Sequence, residues 1–405
     1  LTAYLSVDHG EIMKFLDIGT DRIPEKRQRF FQTITTAVTI PTGWMDELKK
    51  GDKRKREIFT KILNTRKEAG YPYILFEENC NKGVCQAYVD KDMKIRSSNI
   101  CIECPEYTDY EKTFACCLSA VNLYYFDDWK DNENFIIDMN IMLDCVIEEY
   151  TEKGSSMPGL EKAVKFAKEH RAIGLGTTAF HTYLQRNMVP FGSIDSYRVN
   201  NEIFSLLRRE SDKASKLMAE KWGEPKVLEG YGERNTSRMA QAPKKSTTFI
   251  DGGTHLALSE GIEPHKSNYN EKKLAKIQVE FKNKELEKVL EGINKNTEEV
   301  WESILNNNGS VQHLDFLTSE QKDVFKLFSE ISQVDVIKLA GQRQKYIDMA
   351  QSINIMIHPD TPSKEEIKLH LAAFDEGLKS LYYRYSINAA QQFNQDLLTC
   401  SSCEG

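Results

Sequence analysis

Three residues with complementary chemistry stand at alternate positions in Asn99-Ile100-Cys101-Ile102-Glu103. Side chains of an extended segment alternate with a period of two. An amide, a thiol and a carboxylate would then share one face within about 7 Å of each other. The two isoleucines would face the other way. Such a row combines a hydrogen-bonding group, a sulfur able to act as nucleophile or one-electron carrier, and a base. Pro105 closes the stretch, because proline cannot donate to a strand ladder.

A second thiol signal ends the chain: Cys400-Ser-Ser-Cys403, after a polar stretch that begins at Ser386. A structural disulfide or metal ligand is rarely placed on a loose end. A dithiol on a tether reads instead as a carrier that exchanges with a disulfide and swings out to an external reductant. Residues 386–399 reach roughly 45 Å when extended. The tether would hold the dithiol at about millimolar effective concentration.

Other candidates are weaker alone. Cys116-Cys117 lies in the apolar run 113–123, which reads as a buried strand, and most buried cysteines are inert. Tyr382-Tyr383 reads as part of an aromatic strand, 381–385, where core packing is the default. Pro243-Lys244-Lys245-Ser246-Thr247-Thr248 offers hydroxyls beside ammonium groups, a phosphate cradle. Cys101-x-x-Cys104 has half the spacing of a zinc knuckle but lacks a fitting second half. Gly174-x-Gly176 lacks the third glycine of a nucleotide fingerprint and reads as close packing.

These residues need a scaffold, and the bulk sequence describes one. The 405 residues carry 40% hydrophobic and 28% charged residues and a formal charge of -7. That is enough apolar mass for a sizeable core. No basic patch fit to neutralise a nucleic-acid polymer is evident, and no apolar run reaches membrane-span length. Nine cysteines without a secretory leader argue for reduced thiols in the cytoplasm. Strand-like runs at 1–9, 33–41, 72–76, 95–105 and 113–123 alternate with helical patterns at 43–69, 133–152, 159–170 and 197–221. Helices are also expected over most of 271–306 and at 318–333, 335–356 and 364–379. The class is α/β. Residue 1 is leucine in mid-strand, which suggests a fragment, a processed product or part of a split protein.

Taken together and in order, these features resemble the large subunit of class I ribonucleotide reductases. The resemblance rests on Asn99-x-Cys101-x-Glu103, on Cys116 before Leu118-Ser-Ala-Val-Asn-Leu123, and on Pro243-Lys-Lys-Ser-Thr-Thr248 before Gly261-Ile-Glu-Pro264. Leu381-Tyr382-Tyr383 and the dithiol tail complete it. It implies the C-terminal part of a ten-stranded α/β barrel with a central finger loop, over residues 1–385, and a flexible redox tail, 386–405. It implies reduction of ribonucleoside diphosphates by thiyl-radical chemistry. Cys101 would carry the thiyl, Glu103 would take the 3′-hydroxyl proton, and Asn99 would bind the substrate hydroxyls. Cys116 would be one member of the reducing dithiol. Tyr382 and Tyr383 would relay the radical from a metal-containing small subunit, with no cofactor held directly. Pro243, Ser246, Thr247 and Thr248 would form the phosphate loop. Cys400 and Cys403 would be recharged by a thioredoxin- or glutaredoxin-like protein. The family's second active-site cysteine lies upstream of anything present here, so an N-terminal fragment is an expected partner in a hetero-oligomer. A cobalamin-dependent reductase would share the finger motif without needing the tyrosines. A non-catalytic thiol-redox or zinc-binding interaction protein would need neither Cys101 nor Glu103.

Overall fold

A computed structural model describes residues 1–18, 20, 34–256, 258–274 and 277–386. Its strands are β1 (Thr2–Ser6), β2 (Thr35–Ile40), β3 (Tyr73–Phe76), β4 (Leu118–Asn122) and β5 (Gly174–Thr178). The later ones are β6 (Tyr269–Leu274), β7 (Ile277–Lys282), β8 (Ile355–Met356), β9 (Ser380–Leu381) and β10 (Arg384–Tyr385).

The first wall is β1-β2-β3, all parallel, with β9 antiparallel on β3. Thr35-Thr-Ala-Val-Thr-Ile40 is rich in β-branched residues and mostly buried, as a parallel strand covered on both faces should be. Parallel neighbours need a crossover. The helix Lys53–Ala69 supplies it between β2 and β3. Asp52 caps its start by accepting from the Lys55 N–H, and Gly70, at φ 84°, ends it. Ile58 and Ile62, and Phe59 and Leu63, fall four apart and are buried on one stripe.

The second wall is built from β4 and β5, parallel to each other, and from two irregular segments beyond them. Leu175 bridges Met239, and Gln241 bridges Gln351. A side chain at Gly174 would meet Leu118 at 2.4 Å, and one at Gly176 would meet the Ala240 carbonyl at 2.4 Å. The two glycines are the close-packing device expected of them. Segment 353–357 then pairs with 382–385, through β8 and β10 and through Tyr382 N–H to the Ile353 carbonyl (2.7 Å). One apolar core joins both walls, from Val7 and Val38 to Leu175, Ile355 and Tyr383. A second core, around Leu286, Leu290 and Trp301, supports the β6–β7 pair.

Several expected elements differ. The helix expected over 43–69 is two helices, Trp44–Lys50 and Lys53–Ala69, because Gly51 at φ 101° stops the first and Asp52 caps the next. The strand expected over 113–123 is Leu118–Asn122. The expected helix 335–356 ends at Gln344, and the chain then pairs as β8. Residues 271–274 and 277–282 are antiparallel strands, not helix. The alternation Ile277-Gln-Val279-Glu-Phe281 has the period of a strand, and it prevails over the density of charge.

The seam between 238–239 and 348–349 depends on one carboxylate. Buried Asp348 accepts from the N–H groups of Arg238 (2.9 Å) and Met239 (2.8 Å) and pairs with Arg208 at 3.1 Å. Burial raises its pKa, but Arg208, Arg238 and the two N–H groups outweigh burial and hold it below the ordinary aspartate range. The folded state therefore binds this proton less readily than the unfolded state. Its contribution is present above the unfolded pKa and is lost as pH falls through the folded one. Asp348→Asn should cost about 3–5 kcal/mol near neutral pH. The gap from wild type should close as pH falls through the acid range, measured by urea unfolding across pH.

Candidate active site

Residues 99–104 form a tight turn, not the extended row that alternation suggests. Ile102 takes φ 65°, and its N–H bonds the Asn99 carbonyl at 3.2 Å. Ile102 is fully buried whereas Ile100 is exposed, so the two isoleucines do not share a face. A non-glycine residue at positive φ costs of order 1–3 kcal/mol. Burial of Ile102 and the hydrogen bonds of the turn offset that cost. The same turn brings Asn99 onto Glu103, with Nδ2 donating to Oε1 at 2.8 Å. Asn99 Oδ1 accepts from the Cys104 N–H at 3.1 Å.

Both walls grip the turn. From β1, the Tyr4 hydroxyl donates to the Asn99 carbonyl (2.6 Å) and Thr2 donates to the Ile100 carbonyl (3.2 Å). From the second wall, Ser352 Oγ lies 2.6 Å from the Cys101 carbonyl and 3.1 Å from Glu103 Oε2. The Ala350 N–H donates to the Glu103 carbonyl at 2.8 Å. Burial pushes the Glu103 carboxyl above the ordinary glutamate range. Asn99, Ser352 and the charge of Lys244 pull back toward the carboxylate without cancelling burial. A carboxyl so placed can accept a proton from a neighbouring hydroxyl.

Cys101 is half-buried, and its thiol shares a hydrogen bond with the Tyr382 hydroxyl. The rings of Tyr382 and Tyr383 stand 4.4 Å apart at 60°. Tyr73, from β3, packs on both, at 4.5 Å from Tyr382 and 5.0 Å from Tyr383, and is hydrogen-bonded to both. Burial lifts the pKa of Tyr73 and Tyr382 well above the ordinary tyrosine range, which keeps both phenols protonated at neutral pH. The arrangement is a contiguous path of phenols that ends on a thiol. Tyr73 escaped the sequence reading. Its signal was a lone polar tip in the buried run Pro72–Phe76. Ser352 gave no signal.

The remaining predicted residues are placed less closely. Cys116 is exposed on the lead-in to β4, contrary to the buried strand expected there. Residues 113–116 lie outside the described strands, the Cys117 carbonyl accepts from the Gly174 N–H of β5 (2.9 Å), and the inward position goes to Cys117, whose thiol reaches the Leu143 carbonyl (3.5 Å). Ser246, Thr247 and Thr248 open the helix Lys245–Leu256. The first N–H groups of a helix lack intrahelical acceptors and suit an anion. Ser246 and the preceding Pro243 are exposed and Thr247 is half-buried. Thr248 is buried and its hydroxyl donates back to the Lys245 carbonyl at 2.8 Å. Lys244 is buried, and its ammonium lies 3.5 Å from the Ser119 carbonyl. Cys400 and Cys403 lie outside the described residues. Among the described residues no three His, Cys, Asp or Glu side chains converge as metal ligands would, and no helix is long and apolar enough to cross a membrane.

Comparison with known proteins bears on this geometry. The family profile "Ribonucleotide reductase, barrel domain" matches residues 46–227 and 225–384. The chain belongs to the ribonucleotide reductase barrel family. The ribonucleoside-diphosphate reductase large subunit of Invertebrate iridescent virus 3 is 37% identical over 331 residues, which cover 81% of this chain and 51% of that protein. The large subunit of Invertebrate iridescent virus 6 is 40% identical over 68% of this chain and 29% of its own length. The class Id ribonucleotide reductase alpha subunit of Actinobacillus ureae superposes with a TM-score of 0.89 and 45% identity, over 96% of this chain and 71% of its own. The chain thus spans about half the length of the first viral relative. The α/β class and the barrel expected from the sequence are the family's fold.

Within this reductase barrel the Asn99 amide and the Ser352 hydroxyl both favour the charged form of Glu103. Removing either, as Asn99→Ala or Ser352→Ala, should move the Glu103 titration further up. Difference infrared spectroscopy of the carboxyl stretch would measure it, and a downward move would contradict this account of the site.

Proposed function

We propose that this chain carries the catalytic centre of a ribonucleoside-diphosphate reductase large subunit. One observation carries the reading: the Cys101 thiol sits between an amide–carboxyl pair on its own turn and a hydrogen-bonded stack of phenols. A thiyl on Cys101 takes the 3′ hydrogen atom, forming S–H and leaving a carbon radical. Glu103 accepts the 3′-hydroxyl proton, and Asn99 holds the substrate hydroxyls. The 2′-hydroxyl leaves with a proton as water. Two thiols supply two electrons and close to a disulfide. The hydrogen atom then returns from Cys101 to C3′, which restores the thiyl.

The phenol stack suits delivery of the radical. Phenol O–H and thiol S–H bonds are close in strength, so a hydrogen-bonded path through Tyr383 and Tyr382 to Cys101 can run either way. On this reading the radical originates on a metal-containing small subunit. Ser246, Thr247 and the open N–H groups of their helix turn take the diphosphate, with Pro243 shaping the approach. Thr248 fixes the turn through its bond to Lys245. Cys116 supplies one reducing thiol, and an N-terminal large-subunit segment supplies the second. Cys400 and Cys403 restore the pair, recharged by a thioredoxin or glutaredoxin. The working enzyme is then a cytoplasmic hetero-oligomer.

The test is single-turnover formation of deoxynucleotide by this chain with small subunit and dithiol, with and without the N-terminal segment. Cys101→Ser, Tyr382→Phe and Tyr383→Phe should each abolish product. Tyr73→Phe, which loses hydrogen bonds but breaks no link between Tyr383 and Cys101, should slow it about tenfold, equivalent to about 1.4 kcal/mol. Product that survives both Tyr382→Phe and Tyr383→Phe, given cobalamin, would place the chain with the cobalamin-dependent class. No product in any combination would sink the reading.

A further inference from the structure

With Cys101, Cys104 makes half the spacing of a zinc knuckle in sequence, but the fold gives it a different neighbour. It is 1% exposed, in an apolar cluster with Phe166, Ala240 and Met349 against which Phe114 and Leu118 pack. Phe114 and Leu118 flank Cys116 in the chain, so the lead-in to β4 carries Cys116 onto Cys104. The two thiols share a hydrogen bond. Cys116 is exposed, so one sulfur of the pair meets solvent and the other does not. The other nearby thiols point elsewhere: Cys117 to the Leu143 carbonyl, Cys101 to Tyr382.

We propose that Cys104 and Cys116 are a redox pair that closes to a disulfide when Cys116 meets a low-molecular-weight disulfide. The Cys116 thiolate attacks one sulfur of the oxidant, whose S–S bond breaks and releases a first small thiol. The Cys104 thiolate then attacks the Cys116 sulfur of the mixed disulfide, forms the Cys104–Cys116 bond and expels the second small thiol. Two cysteine sulfurs are oxidised, the two sulfurs of the oxidant are reduced, and both cysteine protons leave on the small thiols. The hydrogen bond with Cys116, and then burial, hold the Cys104 thiol well above the ordinary cysteine range. The second step therefore quickens as pH rises, and a dithiol reverses the closure. Closure would pin the lead-in to β4 onto the turn that carries Cys101. Its further effect, withdrawing Cys116 from nucleotide reduction, rests on the function proposed above.

The full chain treated with oxidised glutathione at mildly alkaline pH, then alkylated and mapped without reduction by mass spectrometry, tests this directly. The expected result is a Cys104–Cys116 linked peptide, loss of both free thiols, and their recovery with dithiothreitol. Cys104→Ala should stop at a mixed disulfide of glutathione with Cys116. The proposal is overturned if wild type stops there too, with Cys104 alkylated only on unfolding. It is equally overturned if Cys116 stays unmodified or links to Cys101, Cys117 or a tail cysteine. The mapping needs neither nucleotide nor small subunit, so its failure would leave the reductase reading standing. A failed reductase assay would leave a mapped disulfide equally intact.

Discussion

A loop driven into a protein interior must find partners for its own backbone, because an unpaired buried amide or carbonyl costs about as much as a lost hydrogen bond. The turn 99–104 meets that constraint from outside itself. Its carbonyls at Asn99 and Ile100 take hydroxyls from β1, and those at Cys101 and Glu103 take a hydroxyl and an N–H from 350–352. The Ile102 and Cys104 N–H groups close on the loop itself, both through Asn99. The position of the Cys101 sulfur is therefore set by the two walls together. A shift of either wall would strand a carbonyl before it moved the thiol far. Asn99 is structural and chemical at once: its carbonyl and Oδ1 shape the turn while its Nδ2 holds Glu103.

The same economy governs the phenols. Tyr382 is gripped by its backbone on two sides, with its N–H on the Ile353 carbonyl and its own carbonyl taking the Arg66 guanidinium at 3.0 Å. Arg66 is fully buried on the crossover helix that also positions β3. One helix thus sets both Tyr382, through Arg66, and Tyr73, through the strand it feeds. Desolvation then does the electrostatic work. It raises Tyr73, Tyr382 and Glu103 alike, which favours neutral forms that exchange hydrogen atoms and protons over ions that would need water.

Family membership was legible in sequence because the motifs around Cys101, Leu118–Leu123, Gly261–Pro264 and Tyr382-Tyr383 stand in one order that few other folds share. The α/β class followed from runs such as Thr35–Ile40, and the glycines at 174 and 176 announced close approach. Where reading failed, a non-local contact had overruled a local pattern. Alternation in Asn99–Glu103 pointed to a strand, but among the described residues no strand pairs with it, and groups from both walls hold it as a turn. The apolar run 113–123 pointed to a strand throughout, but the strand paired with β5 is Leu118–Asn122. Ser352 was invisible because its role depends on a partner 249 positions away, and a lone serine carries no trace of that. Tyr73 had a faint signal, a hydroxyl inside a buried strand, which becomes meaningful only beside Tyr382 and Tyr383.

The distribution of charge around the turn adds a last constraint. Lys244 is buried beside Glu103, with one weak carbonyl contact for its ammonium, at Ser119. Burial lowers its pKa, while Glu103, Cys104 and Asp251 raise it again, and the net direction is down. Glu103 is shifted up and Lys244 down, so both incline toward neutrality by the same cause. A buried pair of this kind is held less by its own attraction than by the hydrogen bonds each member keeps. Glu103 keeps two from side chains, Asn99 and Ser352, and one from its own backbone N–H. Lys244 keeps one, at the start of the helix whose first turn presents Ser246 and Thr247. The more weakly anchored member is therefore the one at the start of the helix Lys245–Leu256.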